Sequence, residues 1–166
     1  VAHIGVHIVV HTKLFVLFEL GVERYALEAG QVAEVLPLVH IKPIPQAPPG
    51  VAGVLNYHGA PVPVIDLSAM LLGRAASGVL STRIILARYA DAGGEHRLLG
   101  LIAERTTRSV RRDERDFVTT GLSDPASSYL GPVAADADGI VQWIRVQHLL
   151  SASVRAVLFQ AVGEAP

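Results

Sequence analysis

The chain contains no cysteine. Disulfides, thiolate nucleophiles and cysteine-ligated zinc or iron–sulfur centres are excluded on that ground alone. Lysine is nearly missing too: Lys13 and Lys42 are the two in 166 residues. With no lysine after Lys42, no Gly-x-x-x-x-Gly-Lys-Ser/Thr phosphate loop can form, and Gly-x-Gly-x-x-Gly, Gly-x-Ser-x-Gly and His-Glu-x-x-His are absent as well. Aromatic residues make up 5%, and 14 basic residues are offset by 15 acidic ones for a net charge of −1. A cationic groove or a base-stacking platform for nucleic acid has little to be built from. Long hydrophobic runs are also lacking. The longest uncharged stretch, residues 43–65, carries Pro43, Pro45, Pro48, Pro49, Pro61 and Pro63, with Pro37 just before it. No spanning helix tolerates that pattern. Residues 1–12 are apolar but too short to cross a bilayer, and they lack the leading positive region of a signal peptide. Direct membrane insertion is not expected, and the expected location is cytoplasmic.

Apolar residues are plentiful, 51% against 17% charged, which excludes a disordered chain. Residues 1–13, where His3, His7 and His11 interrupt apolar residues, read as an N-terminal extension. From Leu14 the strand formers begin. Residues 14–20 and 25–27, joined by a turn at 21–24, predict a hairpin. Residues 31–36 extend the strand system or begin with a short helical turn. The Pro-rich 43–49 segment predicts an extended loop. Residues 51–57 and 60–65 predict a second hairpin about His58-Gly59, with Pro61 and Pro63 on an edge lacking donors. Asp66 is a good N-cap, and Gly73 a good C-terminal stop, for a short helix over 67–72. Strands are predicted at 82–87, 97–103 and 140–146, and a closing helix in 148–160. The fold class is therefore mainly β, as barrels or a sandwich, with one or two short helices. The linker at 74–81 marks an approximate division into two subdomains within residues 14–150, leaving 151–166 as a C-terminal helix and tail.

Several clusters could carry chemistry. His3, His7 and His11, spaced by four, fall on one face of a helix or strand and could hold zinc or nickel, but no carboxylate accompanies them. They read as a histidine-bearing tail, and no metal site is expected. Asp136-Ala137-Asp138-Gly139 has the middle of a calcium loop but neither its first ligand nor its closing glutamate, so it reads as a hairpin turn. Arg105, Arg108, Arg111, Arg112 and Arg115 form a basic cluster nearly cancelled by Glu104, Asp113, Glu114 and Asp116. That pattern describes a salt-bridged surface. Glu34, within a strand-like run, fits an ion pair better than a catalytic acid. No catalytic residue and no cofactor are assigned.

One stretch is more specific. Pro48, Gly53, Asn56, Gly59, Pro63, Asp66 and Leu67 hold a spacing that resembles the CheW-like domain, the coupling module of bacterial chemosensory arrays. His58 stands where that family usually has arginine. Phe18 to Tyr25, then Val32-x-Glu34-Val35, opens the domain in the family order. Leu99-Gly100-Leu101-Ile102-Ala103-Glu104 resembles the strand of its second half, and Tyr129-Leu130-Gly131 and the apolar end at Leu149-Leu150 also fall in place. The resemblance covers residues 14–150 and implies two five-stranded SH3-like barrels without enzymatic activity. It implies two partners, a chemoreceptor cytoplasmic tip and the regulatory domain of a CheA-type histidine kinase. By position it implies a receptor-binding region at Val32, Glu34, Gly53, Asn56 and His58, with Gly100, Leu101 and Ile102 as its other wall. Residues 80–83 and 97–112 look more like the accessory members of Wsp-type surface-sensing systems. Two readings of His58 stand side by side: drift at a position needing any polar residue, or a pH-dependent contact with Glu34 across the groove. A different class of function, a small-molecule-binding or hydrolytic β-barrel, would use Glu34 and His58 in that same groove.

Overall fold

A computed structural model describes residues 11–90, 93–121 and 124–163, with side chains described as far as residue 160. The N-terminal His3 and His7, and hence the three-histidine cluster, lie outside the described residues. Among the described residues, nine strands and two α-helices follow in the order β1 (Thr12–Leu20), β2 (Glu23–Glu28), β3 (Val32–Pro37), β4 (Val51–Tyr57), β5 (Ala60–Asp66), α1 (Leu67–Leu72), β6 (Arg83–Ala90), β7 (His96–Asp113), β8 (Leu130–Asp136), β9 (Gly139–Ile144) and α2 (Ala152–Gly163). The strands form two five-stranded barrels that share β7. Barrel A takes β1, β2, β8, β9 and residues 104–113 of β7. Barrel B takes β3, β4, β5, β6 and residues 96–103.

The division expected near 74–81 is therefore corrected. That segment connects α1 to β6 inside barrel B, and barrel A is assembled from the two ends of the domain. The N-terminal extension is shorter than expected, because Thr12 and Lys13 already pair with Asp113 and Arg112. The closing helix also starts later, at Ala152, after a 3-10 turn at Val146–His148.

Unbroken apolar runs such as Phe15-Val16-Leu17-Phe18 follow from three cores. Side chains alternate across a strand. On β1, Phe15 and Leu17 point into barrel A, where they meet Ala26, Phe117, Ala134 and Val141. Val16, Phe18 and Leu20 point the other way, into a central core between the barrels. On β6, Ile84 and Leu86 fill barrel B while Ile85, Ala87 and Tyr89 join the central core. Each central strand is covered on both faces, so each loses the polar half of the usual alternation. A Leu or Ile wholly buried in this way contributes roughly 1.5–3 kcal/mol.

Each barrel is closed by a two-hydrogen-bond bridge. Val118 and Val133 exchange bonds of 2.8 and 3.0 Å in barrel A, and Lys42 and Val54 exchange bonds of 2.9 and 2.8 Å in barrel B. The second closure requires Gly53: a Cβ there would sit 2.0 Å from the Lys42 carbonyl oxygen, at a φ of +145°. Helix α1 begins and ends as expected, with Asp66 Oδ1 accepting from Ala69 N–H at 3.2 Å and Gly73 in the left-handed region. Helix α2 rests on the central core through Leu158, and Phe159 stacks on Tyr89 with ring centroids 5.6 Å apart.

Candidate protein-binding surface

The exposed residues singled out in the sequence gather on barrel B. Strand β3 carries a bulge between Val32 and Glu34, opposite Ala87 and Leu86 of β6. An extra residue bends a strand and re-aims its side chains, and Ala33, Glu34 and Val35 are all exposed. Val32, just before them, packs against the central core. Arg88 pins the start of this strand by donating to the carbonyl oxygens of Gly30 and Val32 at 3.1 and 3.0 Å.

The β4–β5 hairpin reaches the same face. His58 and Gly59 form its two-residue turn with φ of +50° and +85°. Both central residues at positive φ are the mark of a type I′ turn, which matches the twist of the flanking strands. Asn56 Oδ1 accepts from Gly59 N–H at 2.8 Å, so Asn56 shapes the turn. At the last position of β4, the Tyr57 hydroxyl donates to Glu34 Oε2. The carboxylate acceptor raises the Tyr57 pKa, with burial and the Glu34 charge adding to the effect. The His58 ring meets the Tyr57 ring edge-on at 4.4 Å.

Glu34 is thus joined to the hairpin by Tyr57, one residue before the expected His58, and no ion pair between His58 and Glu34 is formed. The reason is the turn: the chain has already entered the left-handed region at His58, and Tyr57 is the last residue still in register with β5. The Tyr57 contact with Glu34 depends on this register, which local sequence pattern does not encode.

The remaining residues lie inside. Gly53 is buried beneath the Lys42 carbonyl. A Cβ on Gly100 would come 3.0 Å from Val64 Cγ2 and 3.4 Å from Ile84 Cγ2, so glycine permits β5, β6 and β7 to pack. Leu101 belongs to the central core and Ile102 to the interior of barrel B. These three β7 residues support the exposed face from below and present no side chain to a partner. Glu34, Asn56 and His58 are the exposed members of the set, with Tyr57 between them.

Two carboxylates hold the back of barrel B. Glu104 Oε1 accepts from Ser68 Oγ at 2.8 Å, Arg74 at 2.8 Å and Ser77 N–H at 3.2 Å. Burial pushes the Glu104 carboxyl up, but these donors outweigh it and leave its pKa below the ordinary value. Asp66 Oδ2 accepts from Ala76 N–H at 2.9 Å. Both anchor the 74–81 connection.

The sequence from residue 14 to residue 154 matches the family described as the CheW-like domain. The chain belongs to the CheW-like domain family. Among CheW proteins, the chemotaxis protein CheW of Rhizobium meliloti is 29% identical over 105 residues, covering 63% of this chain and 64% of that protein. The chemotaxis protein CheW of Helicobacter pylori is 27% identical over 138 residues, covering 82% and 80%. The crystal structure of the scaffolding protein TtCheW from Thermoanaerobacter tengcongensis shares the fold, with a TM-score of 0.74 at 24% identity over 93% of this chain and 96% of that one. The paired barrels expected from the CheW resemblance are thus the observed architecture. Among the described residues, no helix is long and apolar enough to cross a membrane, and no group of three or more His, Asp or Glu side chains is placed to hold a metal ion.

Proposed function

We propose that this chain is a non-enzymatic adaptor that couples the cytoplasmic tip of a chemoreceptor to the regulatory domain of a CheA-type histidine kinase. The observation that carries the reading is the CheW-like match, which runs through both barrels from residue 14 to residue 154. The relatives named as chemotaxis CheW proteins support the same signalling context. The receptor tip docks on the barrel B face formed by Val32, Glu34, Asn56, Tyr57 and His58, with Gly53, Gly100, Leu101 and Ile102 fixing the strands beneath. An exposed carboxylate beside a rigid hairpin suits recognition of a cationic or hydrogen-bonding helix surface, because little conformational freedom is lost on docking. The kinase uses a separate surface.

The rival reading, a hydrolytic or ligand-binding groove built on Glu34 and His58, is less well supported. The carboxylate is engaged by Tyr57, and no contact brings the imidazole to it.

The test is binding of the parent protein and the Glu34→Lys variant to a receptor-tip fragment and to a kinase regulatory domain, measured separately. The parent should bind both. The variant should lose receptor affinity by tenfold or more, about 1.4 kcal/mol, and keep its kinase affinity. Equal loss of both with an intact circular dichroism spectrum, or no binding by the parent, would refute the assignment.

A further inference from the structure

Barrel B has a seam. Its strands run β3-β6-β7-β5-β4, so β3 and β4 stand at the two ends of the hydrogen-bonded path. The Lys42–Val54 bridge joins the two sides of that seam through backbone bonds. Farther along β4 a side chain joins them again, where the Tyr57 hydroxyl donates to Glu34 Oε2 on β3. The Tyr57 ring is half-buried and packs against the barrel B core, so its hydroxyl is delivered from a fixed base. Glu34 is exposed beside the β3 bulge and has no such base of its own.

The kind of donor matters. Glu19, Glu104, Asp113, Asp136 and Asp138 each meet an arginine. Glu34 meets no cation among the described residues; it is held by a phenol instead. Arg88, on the neighbouring strand, spends its guanidinium on the Gly30 and Val32 carbonyl oxygens. The His58 ring lies against the Tyr57 ring.

A guanidinium and a phenol both fix the direction of a carboxylate. The guanidinium also cancels its charge. A neutral hydroxyl takes one of about four acceptor positions and leaves the negative charge whole. No donor among the described residues reaches Glu34 Oε1. A free glutamate side chain loses rotamer freedom when it docks, and one already held loses less. Glu34 is therefore both oriented in advance and electrically unsatisfied.

We propose that Tyr57 is a positioning residue of the receptor face, which holds Glu34 with its charge uncompensated for a lysine or arginine of the receptor tip. The inference rests on the adaptor reading above and adds to it the chemistry of the partner's contact residue.

Tyr57→Phe removes the hydroxyl and keeps the ring in the core. Binding of the receptor-tip fragment is measured for the parent, Tyr57→Phe, Glu34→Ala and the double variant. The kinase regulatory domain serves as the control, and circular dichroism checks folding. Tyr57→Phe should weaken receptor binding about fivefold and leave kinase binding unchanged. In the Glu34→Ala background the same change should cost almost nothing, because Tyr57 acts through Glu34. Parent affinity should fall as salt is raised from about 50 to about 300 mM, and that of Glu34→Gln should fall less steeply. One readout needs no receptor. The carboxylate acceptor raises the Tyr57 pKa, so the Tyr57 ring-carbon resonance should titrate above the ordinary phenol range in the parent and lower in Glu34→Ala.

The inference is overturned if folded Tyr57→Phe binds the receptor tip like the parent, or if the change costs as much without Glu34 as with it. It is also overturned if Glu34→Gln keeps the parent's salt dependence, or if Tyr57 titrates identically in Glu34→Ala. Each of these results leaves the adaptor reading standing, since the parent still binds. Absence of receptor binding by the parent would overturn that reading and this inference with it.

Discussion

Replacing Asp136 by asparagine should cost about 2 kcal/mol of folding stability at neutral pH. The carboxylate closes a cluster that joins three strands of barrel A. Arg24 on β2 holds it with both arms, at 2.8 and 3.1 Å, and Arg112 on β7 reaches the second oxygen. All three side chains are largely buried, with exposures of 14% for Arg24, 15% for Asp136 and 19% for Arg112. The hydrogen bonds from Arg24 lower the Asp136 pKa most, burial opposes them, and the Asp138 N–H and both guanidinium charges add to the lowering, which takes the value from 3.8 to about 2. A displacement of that size corresponds to about 2 kcal/mol favouring the ionised form. Asparagine keeps an oxygen for the Asp138 N–H of the turn, so the substitution tests charge rather than turn geometry. Because the folded pKa is depressed, the stabilisation is complete above the unfolded value near 4 and disappears as pH falls through 2. Urea denaturation of parent and Asp136→Asn at several pH values measures this directly. The two curves should differ by about 2 kcal/mol at pH 7 and converge towards pH 2. Equal stability at pH 7, or a gap that stays constant into acid, would refute the assignment of that energy to the ionised cluster.

Gly53→Ala should destabilise the fold by about 3 kcal/mol or more, read as a fall in denaturation midpoint, because its Cβ would collide with the Lys42 carbonyl and break the barrel B closure. His58→Asn should raise stability by about 0.5 kcal/mol, since asparagine is the better residue at this left-handed position before glycine; a lowered midpoint would contradict it. Glu104→Gln should cost about 1–2 kcal/mol at pH 7 by weakening the bonds from Arg74, Ser68 and Ser77. Glu104 also has a depressed folded pKa, so that difference should shrink as the parent is acidified through it; a difference that grows in acid would reverse the assigned direction.

What could be read from the sequence was local. Asp66 and Gly73 bracket α1 because capping depends on a few neighbouring backbone groups. The turn at Asp136 to Gly139 was legible for the same reason, with Asp136 Oδ1 accepting from Asp138 N–H. The second half of β7 was not. Residues 105–113 place Val110 against the barrel A core as the one apolar residue of a polar and charged run, so hydrophobic alternation fails, and their strand character comes from pairing with β1. At the candidate site, the family spacing gave equal weight to the exposed Glu34, Asn56 and His58 and to the buried Leu101 and Ile102. Burial of both faces of β7 is a three-dimensional fact, and no pattern along that strand separates supporting residues from exposed ones. The link between Tyr57 and Glu34 depended on the register of two strands and a bulge, neither of which is written in composition.

The sharing of β7 has a consequence for synthesis. Every strand of barrel B lies in one continuous stretch, from Val32 to the middle of β7, whereas β2 of barrel A must wait for β9 at the other end of the domain. A nascent chain emerging from the ribosome can assemble barrel B while the β1–β2 hairpin still lacks its last neighbour. During that interval Phe15 and Leu17 lack Ala134 and Val141, the β8 and β9 share of their core, and they are natural sites for a chaperone to hold. Arrival of β9 then buries them together, which makes the last strand of the domain the step that commits barrel A.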